Sequence, residues 1–314
     1  MTEHAKGFLA LLMANLIWGL APLYYKVFDH VPPLEMLAHR TVWSLAFFGL
    51  VLAMQGKLRA LAGAIASRRN AMIVFFSACT ITINWSLFIW AIQVERAVEA
   101  SLGYYIFPLI SVVLGVVIFK EAFGLEKRLA FGAAGIAVLI LTWHVGTAPW
   151  VALVLSSSFA CYSVLKKFST LGPVVSVTAE VVILTPIAIV WLWGVHRFGW
   201  TGTDGRHLAL FGESWGVNLA LMAAGPLTAG PLVLFSYASR RLSLATVGLT
   251  QYINPTIQFS VAVIIFAEPL TRGHIIAFPL IWIALMIYSV GLIRQDRARR
   301  RSASSVATSD TVAK

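Results

Sequence analysis

Two ionisable residues stand well inside apolar stretches of the 314-residue chain: Arg40, with His39 beside it, and Glu180. Each lies about one-third into its stretch. A charge in hydrocarbon is costly unless it is paired or wetted, so both positions are candidate functional sites. In one reading the arginine holds a substrate carboxylate while the glutamate accepts a proton or a cation. In the other the two are a structural ion pair, or long side chains reaching for the interface. An offset of 141 residues lays His39 on Glu180. If the two halves of the chain are related by symmetry, Arg40 and Glu180 are predicted to approach one another across a shared cavity.

Uncharged polar groups fall on single helical faces. Ser77, Thr80 and Asn84 recur at i, i+3 and i+7, Gln251, Asn254 and Gln258 do the same, and Asn15 with Trp18 opens the first apolar run. Facing a cavity, such amides and hydroxyls suit a polar or zwitterionic solute; facing each other, they tie helices together. Trp18, Trp85, Tyr104, Tyr105 and Tyr252 offer aromatic faces for stacking on a cation, or simply pack and anchor. Glu95, Arg96 and Glu99 mark either an outer gate or a solvated connection. The seven histidines (4, 30, 39, 144, 196, 207 and 274) are scattered without metal-ligand spacing, and Cys79 and Cys161 lie within apolar runs. No metal, cofactor or catalytic residue is expected, and the chain reads as a non-enzyme.

The elements that position these residues must be membrane helices. The chain is 59% hydrophobic and 12% charged, too few charges to coat a soluble globule of this size. Roughly 20 apolar residues cross a hydrocarbon core, and such runs recur near 7–27, 34–54, 71–92, 98–118, 129–146, 149–166, 175–195, 216–238, 244–266 and 274–293. The fold class is therefore all-α, with ten predicted transmembrane helices. Only Gly146 to Pro149 separates the fifth from the sixth. Residues 196–215 read as an outer loop, with Trp200 and Trp215 at the membrane surface, and 295–314 as a disordered basic tail.

Charge orients the chain. Lys57, Arg59, Arg68 and Arg69, then Lys120, Lys127 and Arg128, then Lys166 and Lys167, then Arg240 and Arg241 fall in alternate connections, with Lys6 and the arginine-rich tail on the same side. The opposite connections hold only Lys26, Arg96, Arg197, Arg206 and Arg272. Both termini are predicted cytoplasmic. The net charge of +11 follows this topology, so a membrane-lipid contact is expected and a nucleic-acid partner is not.

An offset of 147 residues superposes Phe88, Leu102, Tyr105, Ile106, Pro108 and Glu121 on Phe235, Leu249, Tyr252, Ile253, Pro255 and Glu268. Tyr-Ile-Phe-Pro meets Tyr-Ile-Asn-Pro, and each copy runs on to Phe-x-Glu. An odd number of helices per repeat sends the second copy through the membrane in the opposite sense. The predicted units are 1–148 and 149–294, two inverted five-helix repeats followed by the tail. Such repeats build alternating-access transporters with a mid-membrane site. Pro108 and Pro255, each about ten residues into its helix, are predicted hinges or static kinks.

Asn15-Leu-Ile-Trp18-Gly19 with Pro22, Pro33-Leu-Glu35 to His39-Arg40 with Trp43-Ser44, and Ile83-Asn84-Trp85 leading to Glu99-Ala-Ser-Leu-Gly103-Tyr104-Tyr105 carry a resemblance. From about residue 6 to about residue 295 the chain resembles the RarD-type branch of the EamA transporters, in the drug/metabolite transporter superfamily. The resemblance implies a ten-helix permease of the bacterial inner (plasma) membrane with no cofactor, and no particular substrate. The expected function is secondary transport, not ATP-driven, of a small polar metabolite such as an amino acid or drug-like solute. A coupling proton or cation and a monomer or homodimer go with it. A non-transporting scaffold or sensor is the competing class, and a membrane-embedded enzyme a more distant one.

Overall fold

The computed structural model describes residues 2–120, 124–201, 210–239, 241–242 and 244–312, and leaves the side chains of 244, 245, 248, 292 and 295–312 undescribed. Helices are α1 (Glu3–Val27), α2 (Pro33–Met54), α3 (Leu58–Ala66), α4 (Arg68–Gln93), α5 (Ala97–Phe119), α6 (Leu125–Val145) and α7 (Trp150–Phe168). The second part holds α8 (Pro173–Phe198), α9 (Trp215–Ser239), α10 (Leu244–Thr250), α11 (Ile253–Ser260), a π-helical turn at Val261–Ile265, and α12 (Arg272–Val312). Glu121 of the repeat signature lies outside the described residues.

Local chemistry sets the ends. Pro33 and Pro173 open α2 and α8, where a missing N–H costs nothing. Thr2 caps α1 by accepting from the Ala5 N–H at 3.2 Å. Gly146 and Gly199 stop α6 and α8 with φ of 78° and 64°, a backbone region open to glycine. The narrow Gly146 joint does separate two helices.

This is an all-α membrane protein. Nine helices among the described residues are long and apolar enough to span, and a shorter apolar segment, Ile253–Ile265, accompanies them. The predicted continuous helix over 244–266 is thus interrupted. Its break falls at Gln251 and Tyr252, where tight bonds from Tyr252 N to the Leu249 carbonyl and from Asn254 N to the Gln251 carbonyl replace helical ones. Pro255 sits in the first turn of α11, and its lack of a donor prevents the normal bond to the Gln251 carbonyl. Pro108, its partner at an offset of 147, lies inside the unbroken α5. Each copy still ends alike: Lys120 and Ala267 share the left-handed region, at φ of 52° and 54°. The connection at 55–70, read from sequence as a plain inner loop, contains α3, whose Ala64 packs against Leu52 and Val175. The backbone of α12 stays helical past its apolar part into the basic segment.

At the centre, α2 and α8 run antiparallel. Leu52 meets Val175 and Phe48 meets Val177 and Val181 at one end, while Glu35 and His39 meet His196 at the other. Around this pair, α1 packs on α9 as α7 packs on α4, and α5 packs on α7 as α11 packs on α1. α2 also packs on α8, α6 on α12, and α5 on α11.

Two glycines permit close approach of a neighbouring helix backbone. A Cβ on Gly225 would lie 2.5 Å from the Trp43 carbonyl, and one on Gly103 would lie 2.9 Å from the Ala152 oxygen. Both obstacles are backbone, which cannot swing aside. Gly225→Ala is expected to cost about 3 kcal/mol and Gly103→Ala somewhat less, read as lower thermal midpoints in detergent, whereas Gly132→Ala, facing open space, leaves the midpoint unchanged.

Candidate functional site

A cavity of about 630 Å³ lies between α1, α2, α4, α5, α7, α8, α9 and the α10–α11 break. Of the residues singled out from sequence, Trp18, Arg40, Asn84, Trp85, Tyr104, Gln251, Tyr252, Asn254 and Gln258 line it, as do Pro108 and Pro255. Asn15, Tyr105 and Glu180 stand behind the wall. Asn15 is buried and donates to the Leu11 carbonyl at 2.9 Å, and the Tyr105 hydroxyl bonds Thr256 at 2.7 Å across the α5–α11 contact.

Arg40 is seven residues into α2, with its guanidinium 4.0 Å from the centre of the Trp85 ring. Stacking there is worth about 2 kcal/mol when water is excluded. Its Nε has no hydrogen-bond partner, and no carboxylate among the described residues forms an ion pair with it. The expected approach of Arg40 to Glu180 does not occur. Glu180 is seven residues into α8, but α8 runs antiparallel to α2, so each charge lies roughly 10 Å in from opposite ends of the bundle.

Glu180 instead pairs with Lys166 of α7 and accepts from the Tyr162 hydroxyl at 3.1 Å. Lys166 also donates to Ser176 at 2.6 Å and is a wall residue, so basic residues line the cavity at two depths. From sequence, Lys166 counts among the inner basic residues at the end of the predicted span 149–166. Its signal was the helical spacing of Tyr162 and Lys166 on one face, four residues apart. Phe88, Tyr104, Phe159 and Tyr162 form a run of ring contacts, with centroids 5.6 to 6.1 Å apart, leading to it.

Asn84 has every amide atom engaged. Its nitrogen donates to the Leu155 carbonyl at 2.9 Å and to Ser158 at 3.1 Å, and its oxygen accepts from Tyr104 at 3.1 Å, joining α4, α5 and α7. Gln258 donates to Asn254 at 3.0 Å, while its own oxygen remains buried without a partner.

Wall residues Ser169, Leu171 and Pro173 bring the cavity to the α7–α8 connection. The opposite end is crossed by polar ties, from the buried Glu268 to the exposed Glu95. Glu268 accepts from the first N–H groups of α5, Ala97 at 2.7 Å and Val98 at 2.8 Å, and Glu99 accepts from Val151 at the start of α7 at 2.9 Å. Gln93 donates to the Val31 carbonyl and Tyr24 to the Ala220 carbonyl, each at 2.9 Å. Lys26 pairs with Glu95 at 3.5 Å. Burial pushes the Glu268 carboxyl above its ordinary value, and the two backbone donors oppose that shift. Neither glutamate was read from sequence as a cap. The scattered histidines also conceal a juxtaposition, because His39 and His196 meet beside Glu35.

Residues 5–143 match the model of the EamA-like transporter family. An uncharacterized transporter of Bacillus subtilis, YojE, is 35% identical over 95% of this chain and 98% of its own length. Protein RarD of Salmonella typhimurium is 34% identical over 95% and 99%, and protein RarD of Escherichia coli K12 is 35% identical over 94% and 97%. A solved crystal structure superposes with a TM-score of 0.59 at 14% identity, covering 93% of this chain and 99% of that one, which speaks for the fold alone.

The tie at the head of α5 is testable. Glu268→Ala leaves two buried N–H groups without an acceptor and is expected to remove about 2 kcal/mol. Its thermal midpoint in detergent should fall by about 4 °C, while Glu95→Ala, at an exposed carboxylate, stays within error of the parent.

Proposed function

The chain belongs to the RarD-type branch of the EamA-like transporter family, and we propose that it carries a small solute with a carboxylate group, a zwitterion or an organic anion, by alternating access. The observation that carries this reading is Arg40: a buried cation on the cavity wall, backed by Trp85 and without an ion-pairing carboxylate among the described residues. A protein does not keep an unneutralised charge at membrane depth without an occupant or water to offset it. The family is one of transporters, which speaks against catalysis, and a cavity walled by both halves favours transport over a sealed scaffold.

The equivalent contacts of α1 with α9 and of α7 with α4, and the matched left-handed ends at Lys120 and Ala267, support two inverted five-span units, 1–148 and 149–294. In that reading the broken segment 244–266 is the ninth crossing in chain order and brings the total to ten. With the termini cytoplasmic, as the basic connections favour, the cavity opens inward and the ties at Glu268, Glu99, Gln93 and Tyr24 close it from outside. The solute carboxylate sits on Arg40, and its other polar groups reach Gln251 and Asn254 at the break. Glu180, shared between Lys166 and Tyr162, is the group that takes up a coupling proton, releasing the ammonium toward the solute.

Counterflow of radiolabelled amino acids and organic acids in proteoliposomes tests this. At least one carboxylate-bearing solute should exchange, and Arg40→Ala should weaken exchange at least tenfold, on the order of the 2 kcal/mol of a buried cation contact. Arg40→Lys should recover part of it. Glu180→Gln should keep exchange while losing acceleration by a pH gradient. Wild-type exchange in Arg40→Ala would remove the proposal's basis.

A further inference from the structure

Away from the cavity, at the end where α2 begins and α8 finishes, Glu35, His39 and His196 each present a ligand atom, and these three atoms lie within 4.8 Å of one another. Glu35 and His39 are one helical turn apart on α2, and His196 comes from the last turn of α8. We propose that these residues bind one divalent transition-metal ion of the zinc class, joining α2 to α8 beside the closed end of the cavity.

The unmet bonding of the buried pair points to a ligand. Glu35 is 1% exposed and His39 4%, yet the Oε2 of Glu35 and the Nε2 of His39 have no hydrogen-bond partner. Their mutual separation, 3.8 Å measured to the other oxygen of Glu35, is too long for a hydrogen bond. Leaving two such atoms unpaired in the interior carries a desolvation penalty, and a cation coordinated by both removes it.

The surroundings fix the two groups as outer partners fix metal ligands. The Oε1 of Glu35 accepts from the Leu210 N–H at 3.1 Å, which orients the carboxylate and leaves Oε2 free. The His39 ring stacks on Phe211, with centroids 4.9 Å apart and planes 27° from parallel. His196 is exposed, so it supplies both an entry path from water and the movement needed to close the site. Donors of a tetrahedral zinc ion lie about 3.4 Å apart, a closure within reach of a mobile side chain. Two imidazoles and one carboxylate favour zinc, cobalt or nickel over calcium or magnesium, which seek oxygen alone. Three protein ligands leave a fourth position for water.

Such an ion would sit one residue along α2 from Arg40 and outside the cavity wall. It would hold the α2 and α8 ends together without touching the solute, so binding can be tested independently of transport.

The full chain, purified without a polyhistidine tag and stripped with chelator, is titrated with Co²⁺ and followed by its visible d–d absorption. One Co²⁺ per chain with a tetrahedral spectrum, displaced by one equivalent of Zn²⁺, is expected. His196→Ala, at an exposed position that keeps the fold, should weaken Co²⁺ binding at least tenfold, and Glu35→Gln should do likewise, while His274→Ala binds as the parent does. Absence of a Co²⁺ spectrum in the parent, or His196→Ala binding within twofold of the parent, overturns the proposal.

Discussion

A helix that begins inside or at the edge of a bilayer must find acceptors for its first N–H groups, because no water is there to supply them. In this protein two glutamates from other elements do so. Glu268, in the turn after the π-helical segment, closes the head of α5, and Glu99, on α5 itself, closes the head of α7. These bonds link the turn after the π-helical segment to the head of α5, and α5 to the head of α7. An anion at a helix N-terminus also meets the positive end of the helix dipole, so each bond gains from charge as well as geometry. Because both ties lie at one end of the bundle, that end is drawn together and the free volume collects towards the other.

Polarity along the bundle then organises the cavity. Antiparallel packing of α2 and α8 sets the arginine and the glutamate at different depths, which lets each find its own partner: an aromatic ring for Arg40, and a lysine with a tyrosine for Glu180. A direct Arg40–Glu180 pair would have neutralised both and left nothing for a solute. The interruption at Gln251 and Tyr252 adds backbone polar groups where a continuous helix would offer none, and irregular backbone at membrane depth is tolerated where it borders a cavity.

Much of this was legible in the sequence. Apolar runs located the long helices to within a few residues, and Tyr-Ile-x-Pro followed by Phe-x-Glu picked out the segments that meet as α5 and α11. Nine of the twelve candidate lining residues reach the wall. What escaped was tertiary. The run 244–266 places Gln251, Asn254 and Gln258 at helical spacing, which reads as one face of a continuous helix and hides the break before Pro255. Glu180 could be recognised as costly, but its partner Lys166 sits in a last turn that charge counting assigns to a loop. Histidines 157 residues apart show no spacing at all until α2 and α8 pack antiparallel.

The closed end and the open end are distinguished most directly by chemical access to the cavity. With Cys79 and Cys161 replaced by serine, a cysteine introduced at the lining residue Ser163 can be challenged with a membrane-impermeant maleimide in right-side-out and in inverted vesicles. A bundle tied shut by Glu268 and Glu99 predicts labelling in inverted vesicles and protection in right-side-out ones. Labelling from the right-side-out face, or from neither face, would contradict it.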